Sequence, residues 1–213
     1  MRAALYESNG PAADVLRVTD VDRPEPGPGQ VRVRIEVSGV NPTDWKSRSG
    51  ATARPLSGFQ IPHHDGAGVI DAVGPGVDPG RAGQRVWTWL AAFGQPWGTA
   101  AEWCVVPEDQ AVPIPDGISS ELAASLGVPA MTAHRCLFAD GPVEGLSVLV
   151  AGGAGAVGHY AIELAKHAGA RVAATVSGPA SARSRARFAP RATSMTRSSG
   201  ANEASCSAAS ASL

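Results

Sequence analysis

The stretch from Val148 to Val176, "VLVAGGAGAVGHYAIELAKHAGARVAATV", constrains the fold of this chain more than any other. A short apolar run, "VLVA", reads as a strand of a parallel sheet buried on both faces. A glycine-rich turn follows it. Beyond the turn, Val157, Ala161, Leu164, Ala165 and Ala168 recur at helical spacing on one face. "RVAATV" then supplies a second strand. Strand, turn, helix and strand make a βαβ unit, which places the second strand parallel to the first.

The turn carries chemistry. Gly153-Ala154-Gly155-Ala156-Val157-Gly158 completes the pattern GxGxxG. The first glycine permits a tight turn, the second lets backbone approach a pyrophosphate, and the third lets the helix pack on the strand. The helix start then points N–H groups and a partial positive charge at phosphate oxygens. The turn is therefore read as a dinucleotide cradle; a glycine-rich structural turn is the alternative. Coenzymes with a free ribose 2′-hydroxyl are usually held by an acid at the end of the second strand. This chain has Thr175, Val176 and Ser177 there. A small hydroxyl at Ser177 leaves room for a 2′-phosphate without charge repulsion, which favours NADPH over NADH. No basic partner for that phosphate is identifiable.

The first half of the chain follows a different pattern. "QVRVRIEVSGV" alternates Val31, Val33, Ile35 and Val37 with Arg32, Arg34 and Glu36, the pattern of a half-buried antiparallel strand. "RPEPGPGQ" before it forces a turn. "GAGVIDAV", "QRVWTWLAAF" and "AEWCVVPEDQAVPIPDG" continue as short apolar runs punctuated by glycine and proline. A helical segment follows in "SSELAASLGVPAMTAHRCLF", with Ser119 or Ser120 as its N-cap. The expected fold class is α/β plus β. A β-rich domain over 1–120 precedes the first βαβ part of a doubly wound domain over 121–177. Residues 178–213 are about two-thirds Ala, Ser and Arg, supply almost no core, and are expected to be disordered.

Composition narrows the partners. A net charge of −1 with 17% charged residues argues against nucleic acid or a polybasic membrane contact. No apolar run reaches transmembrane length and no signal-peptide core opens the chain. Cys104, Cys136 and Cys206 are odd in number and widely spaced, which fits a reducing cytoplasm.

Six segments then carry a resemblance: "GVNPTDWK" (39–46), "HHDGAGVIDAVGPGV" (63–77), "GQRV" (83–86), "GTAAEWCVVP" (98–107), "ASLGVPAMTA" (124–133) and "VLVAGGAGAVG" (148–158). In this order they resemble the medium-chain dehydrogenase/reductase superfamily, and within it the zinc-independent quinone oxidoreductases, over roughly residues 1–177. The resemblance implies a GroES-like domain followed by a Rossmann domain, with NADPH-dependent hydride transfer to a quinone or conjugated carbonyl. It also implies a homodimer for the full-length form.

Zinc alcohol dehydrogenases share the architecture. Their three catalytic ligand positions correspond by resemblance to Asn41, His64 and Val128, so one ligand of three remains and no metal is expected. The resemblance places Asn41 and Asp44 among the polar groups of the active-site cleft, with Asn41 a donor to a substrate carbonyl. An Asx-type turn with Asp44 capping a helix is the alternative. Trp45 is read as a wall for a flat substrate or as a packing residue. Thr132 is placed near the nicotinamide, or else bonded to its own helix backbone. For Trp87, Trp89 and Trp97, packing is preferred over a second aromatic wall. The tail departs from the family where "ARSRARFAPRATS" replaces a helix and further strands, which reads as a truncated or frameshifted form after about Pro179. Such a form would leave the "VLVA" strand with an unpaired apolar edge and could be inactive. The remaining alternatives are a zinc-type alcohol dehydrogenase and a non-catalytic binding module of the same family.

Overall fold

The computed structural model describes residues 1–52, 56 and 58–177, and the backbone of 193–196. The chain divides into two compact units, Met1–Arg135 and Cys136–Leu213.

The first unit is built on antiparallel strands. β1 (Arg2–Leu5) pairs with β2 (Arg17–Asp20), the short helix α1 (Ala12–Val15) lying between them in sequence. A five-stranded sheet is formed by β3 (Gln30–Gly39), β4 (Asp65–Val73), β5 (Arg85–Thr88), β6 (Trp103–Pro107) and β7 (Ala111–Pro113). Its order is β6-β3-β4-β5-β7. β3 is an interior strand, paired on both sides, and its valines alternate: Val31 and Val33 are fully buried with Ile70, Val86, Cys104 and Val106 in one core. Each such side chain contributes on the order of 1.5–3 kcal/mol by leaving water.

The alternation fails at one residue. Arg32, expected on the polar face, is buried, with Nε 2.9 Å from Asp71 and Nη1 2.7 Å from Glu25. The β3–β4 register shifts between Arg32 and Val33. A bulge of this kind re-aims a side chain, and the two carboxylates compensate the buried charge.

Helix α2 (Pro42–Ser49) follows β3, and α3 (Ser120–Ala123) and α4 (Gly127–Phe138) follow β7. The single helical segment expected after Ser119 is thus two. Ser119 is the N-cap of α3, its hydroxyl accepting from the Leu122 N–H.

The second unit contains β8 (Ser147–Val150), helix α5 (Ala156–His167) and β9 (Arg171–Val176). β8 and β9 are parallel and paired in register from Ser147–Arg171 to Val150–Ala174, as the βαβ reading requires. α5 buries Gly158, Ala161, Ile162 and Ala165, so the buried stripe is displaced from the expected one, and Val157 is exposed.

β8 also departs from expectation. Val150 is buried, but Leu149 is 68% exposed. α5 covers one face of this sheet, and among the described residues β8 lies at its edge. The disorder expected of 178–213 lies outside the described residues, apart from one correction: Thr193–Thr196 forms β10, parallel to β9. The free edge of β9 offers unpaired backbone groups to any extended segment, and a segment with two β-branched threonines suits that geometry. The sheet order is therefore β10-β9-β8.

Candidate functional site

In the first unit, two of the positions singled out from sequence, Asn41 and Val128, meet at one carboxylate. Asp65 opens β4 and is 1% exposed. Its Oδ2 accepts from Asn41 Nδ2 at 2.7 Å and from the Val128 backbone N–H at 2.8 Å. One atom thereby ties the start of β4 to the start of α2 and the start of α4. Oδ1 is buried without a hydrogen-bond partner. Burial pushes the Asp65 carboxyl up to about 6, against the opposing effect of its bonds from Val128 and Asn41.

Asp44 serves the same neighbourhood. It stands at the third position of α2, and its Oδ2 accepts from the Asn41 backbone N–H at 2.6 Å, the return arm of a capping box. Pro42 at the first helical turn fits because that position needs no N–H. Burial raises Asp44 to about 6; the Asn41 bond opposes this, the charge of Asp65 adds to it, and a backbone bond from His64 opposes it. The capping geometry is thus present, and Asn41, 8% exposed, has an amide N–H on Asp65.

The three positions that compare with zinc ligands gather here, yet Asn41 and Val128 bring an amide and a backbone N–H to Asp65. Among the described residues, no group of three His, Cys, Asp or Glu side chains could hold a metal ion. The sequence reading paired Asp65 with His64 as a structural unit and missed it as the centre that Asn41 and Val128 share. The signal was an acid opening an otherwise apolar strand in "HHDGAGVI".

The other residues of the first unit separate into packing and surface. Thr132 donates its hydroxyl to the Val128 carbonyl at 2.6 Å, the local bond a helical threonine often makes. Trp45 is 52% exposed, with Lys46 Nζ 5.9 Å from its ring centroid. Trp97 packs edge-on against Phe59 at 5.2 Å, Trp87 packs against the core beside α3, and Trp89 Nε1 reaches the Asp109 carbonyl at 3.4 Å.

Beside Asp65 lies a polar chain. Thr99 donates its hydroxyl to the Asp65 carbonyl at 2.6 Å, Ser38 Oγ is 2.8 Å from Thr99 Oγ1, and His63 Nδ1 is 2.8 Å from Ser38 Oγ. His63 has φ 77°, a left-handed backbone that costs a non-glycine residue about 1–3 kcal/mol.

In the second unit the glycine turn is a strand-to-helix bend, and each glycine has a different neighbourhood. The left-handed residue is Gly152, with φ 69°, and not Gly153, to which the tight turn was assigned. A Cβ on Gly153 would lie 2.7 Å from Ala174 Cβ and 2.8 Å from Ile162 Cδ1, so this glycine permits packing of turn, strand and helix. Gly158 abuts the backbone of Gly152 and Gly153, which is the close helix approach expected of the third glycine. Gly155 faces open space apart from the Gly152 carbonyl at 3.3 Å. Gly155 is also the N-cap of α5, and the His159 N–H bonds back to its carbonyl. The amides ahead of that bond, on Ala156, Val157 and Gly158, are the ones a helix leaves without an intrahelical partner.

Thr175 fastens the turn to β9: its Oγ1 accepts from the Gly152 N–H at 3.0 Å, and its carbonyl from the Gly153 N–H at 2.9 Å. The sequence reading noticed Thr175 only as a non-acid. Ser177, just past β9, is exposed, and Ala154 is half-buried within the turn. Among the described residues, no helix is long and apolar enough to cross a membrane.

The family model for the alcohol dehydrogenase GroES-like domain matches residues 27–116. A chloroplastic quinone-oxidoreductase homolog of Spinacia oleracea is 36% identical over 185 residues, covering 82% of this chain and 55% of that protein. A mycobacterial quinone oxidoreductase superposes with a TM-score of 0.80 at 32% identity, over 94% of this chain and 60% of the other. The quinone oxidoreductase of Thermus thermophilus, solved also in complex with NADPH, gives a TM-score of 0.74 at 32% identity, over 91% and 60%. The chain spans little more than half the length of the relatives it matches. With the antiparallel GroES-like sheet, the parallel βαβ segment and the glycine turn all in the order these relatives share, the chain belongs to the medium-chain dehydrogenase/reductase superfamily, in its quinone oxidoreductase-like part.

Proposed function

We propose that the chain binds NADPH at the α5 turn and belongs to a zinc-independent reductase acting on a quinone or a conjugated carbonyl. The observation that carries this reading is the open space before Gly155 at a helix start. The residues fit the coenzyme: a pyrophosphate against the turn from Gly153 to Gly158 would take the amides of Ala156, Val157 and Gly158. Gly155 keeps the approach clear, while Ala154 and Val157 flank it. Ser177, exposed and uncharged, stands where an acid would repel a 2′-phosphate. Bound NADPH supplies the hydride; the protein supplies placement and polarity.

For the other residues the reading is as follows. Asn41 has two amide hydrogens, and one is held by Asp65. The second would donate to a substrate carbonyl oxygen as that oxygen gains charge. Asp44 fixes the Asn41 backbone, Trp45 offers an exposed ring to a flat substrate, and Thr132 keeps the role near the nicotinamide that the family resemblance implies. No metal takes part in this reading, nor does nucleic acid or a membrane. The location is cytoplasmic, and the full-length family form is a homodimer.

A second reading, coenzyme binding without turnover, is favoured by Leu149, whose exposure leaves one face of β8 bare. Two measurements separate the readings. NADPH affinity, by titration calorimetry, should fall at least ~100-fold in Gly155→Asp, since a charge and side chain then oppose the pyrophosphate; unchanged affinity refutes the cradle. Loss of NADPH absorbance with a simple quinone supports the reductase, and binding without such loss supports the second reading.

A further inference from the structure

The chain Asp65–Thr99–Ser38–His63 fixes a proton position that no single bond in it decides. A backbone carbonyl only accepts, so the proton of the Thr99 hydroxyl lies on the Asp65 carbonyl oxygen. Thr99 Oγ1 then has no further proton, and its contact with Ser38 is bonded only if the Ser38 hydroxyl donates to it. Ser38 in turn has a single proton, now used. The 2.8 Å contact between Ser38 Oγ and His63 Nδ1 therefore requires the proton on Nδ1. Any other order leaves two oxygens, or an oxygen and a nitrogen, facing each other at bonding distance with no proton between them.

His63 is thereby held as the Nδ1–H tautomer, and its Nε2 carries a lone pair. Among the described residues no protein group bonds Nε2, and the ring is half-buried. Burial, and the neighbouring His64, lower its affinity for protons, which favours the neutral ring. The backbone adds an independent observation. His63 sits at φ 77°, where glycine would be unstrained, and the Thr99 N–H bonds to its carbonyl at 3.0 Å. A bulky side chain is thus kept at a strained position with one ring nitrogen tied inward and the other left for a partner.

We propose that His63 Nε2 is a binding position for the hydroxyl of a small aromatic alcohol, such as the hydroquinone that quinone reduction yields. The choice of hydroquinone rests on the proposed function; the tautomer does not. A lone pair attracts a hydroxyl proton and repels a quinone carbonyl oxygen, so this position discriminates the reduced from the oxidised ring. His63 would be specificity-determining, with Ser38 as its positioning residue.

The test is nitrogen NMR of the full chain labelled at histidine, at pH 7 and without oxygen. The His63 ring should show a protonated Nδ1 and an unprotonated, pyridine-type Nε2; Nε2–H as the main form overturns the assignment. Hydroquinone should shift the Nε2 resonance, while 1,4-dimethoxybenzene, which has the same ring and no donor, should not; no shift with hydroquinone, or equal shifts with both, overturns the binding position. Ser38→Ala should release the tautomer and weaken hydroquinone about fivefold, the scale of one hydrogen bond; an unchanged tautomer and affinity overturn the role of Ser38. His63→Gly suits the left-handed backbone and should fold while losing the hydroquinone response, and a retained response contradicts the proposal. NADPH binding at the α5 turn is read separately, so failure of the proposed function leaves these outcomes interpretable.

Discussion

The knot around Asp65 and the turn before α5 use polar groups in opposite ways. Around Asp65 donors converge: one hydrogen of the Asn41 amide, the Val128 N–H and the Thr99 hydroxyl all end on this one residue. At the α5 turn the backbone is held by Thr175 and by glycine packing, while helix-start amides and the space before Gly155 remain open. The first arrangement orders three chain segments; the second leaves binding capacity unspent. A group that looks catalytic in a motif can thus also hold the fold. A motif with no reactive side chain at all can be the better-supported binding element.

The comparison breaks first, and most severely, at Asp65. Asp65→Ala strands a buried N–H donor of Asn41 and a part-buried one of Val128 and should lower the unfolding free energy by about 2–6 kcal/mol, taking about 1–3 for each. Urea denaturation measures it. A loss of under about 1 kcal/mol would show that the knot is not holding the first unit together.

The pH dependence is the next largest effect and has an unusual sign. Asp44 and Asp65 both sit at about 6 in the folded chain, well above the unfolded value of about 3.9. A raised carboxylate binds its proton more tightly when folded, so its contribution is fully present below pH ~4 and is lost as pH rises through ~6. Each carboxylate taken alone should account for about 2–3 kcal/mol over that window. Denaturation at several pH values, with Asp65→Asn as reference, should show the native chain losing stability relative to the variant from pH ~4 to ~7. A gain over the same window would contradict the assignment.

The turn offers a smaller and more selective change. Ser177→Asp should move coenzyme preference from NADPH toward NADH by about tenfold, or ~1.4 kcal/mol, by placing charge against a 2′-phosphate. Calorimetric titration with both coenzymes checks this, and equal loss for the two would place Ser177 away from the ribose.

Local patterns were legible because their causes are local. The alternation of β3, the paired strands β8 and β9 and the helix start at the turn follow from spacing alone. The rest depended on partners distant in sequence. Asp65 and Val128 meet across 63 positions, and Arg32 is buried because a bulge and two carboxylates receive it. The left-handed residue of the turn was placed one position late, since neighbouring glycines Gly152 and Gly153 are equivalent until packing against Ala174 and Ile162 distinguishes them. β10 was invisible because its composition gives no apolar period, and its place comes from the edge it joins.

The most direct test follows the backbone amides of Ala156, Val157 and Gly158 by NMR as NADPH is added to the intact chain. The account expects these three resonances to move together, saturably, and to stay fixed in Gly155→Asp. Saturable NADPH binding that leaves them unmoved, or no binding at all, would contradict it.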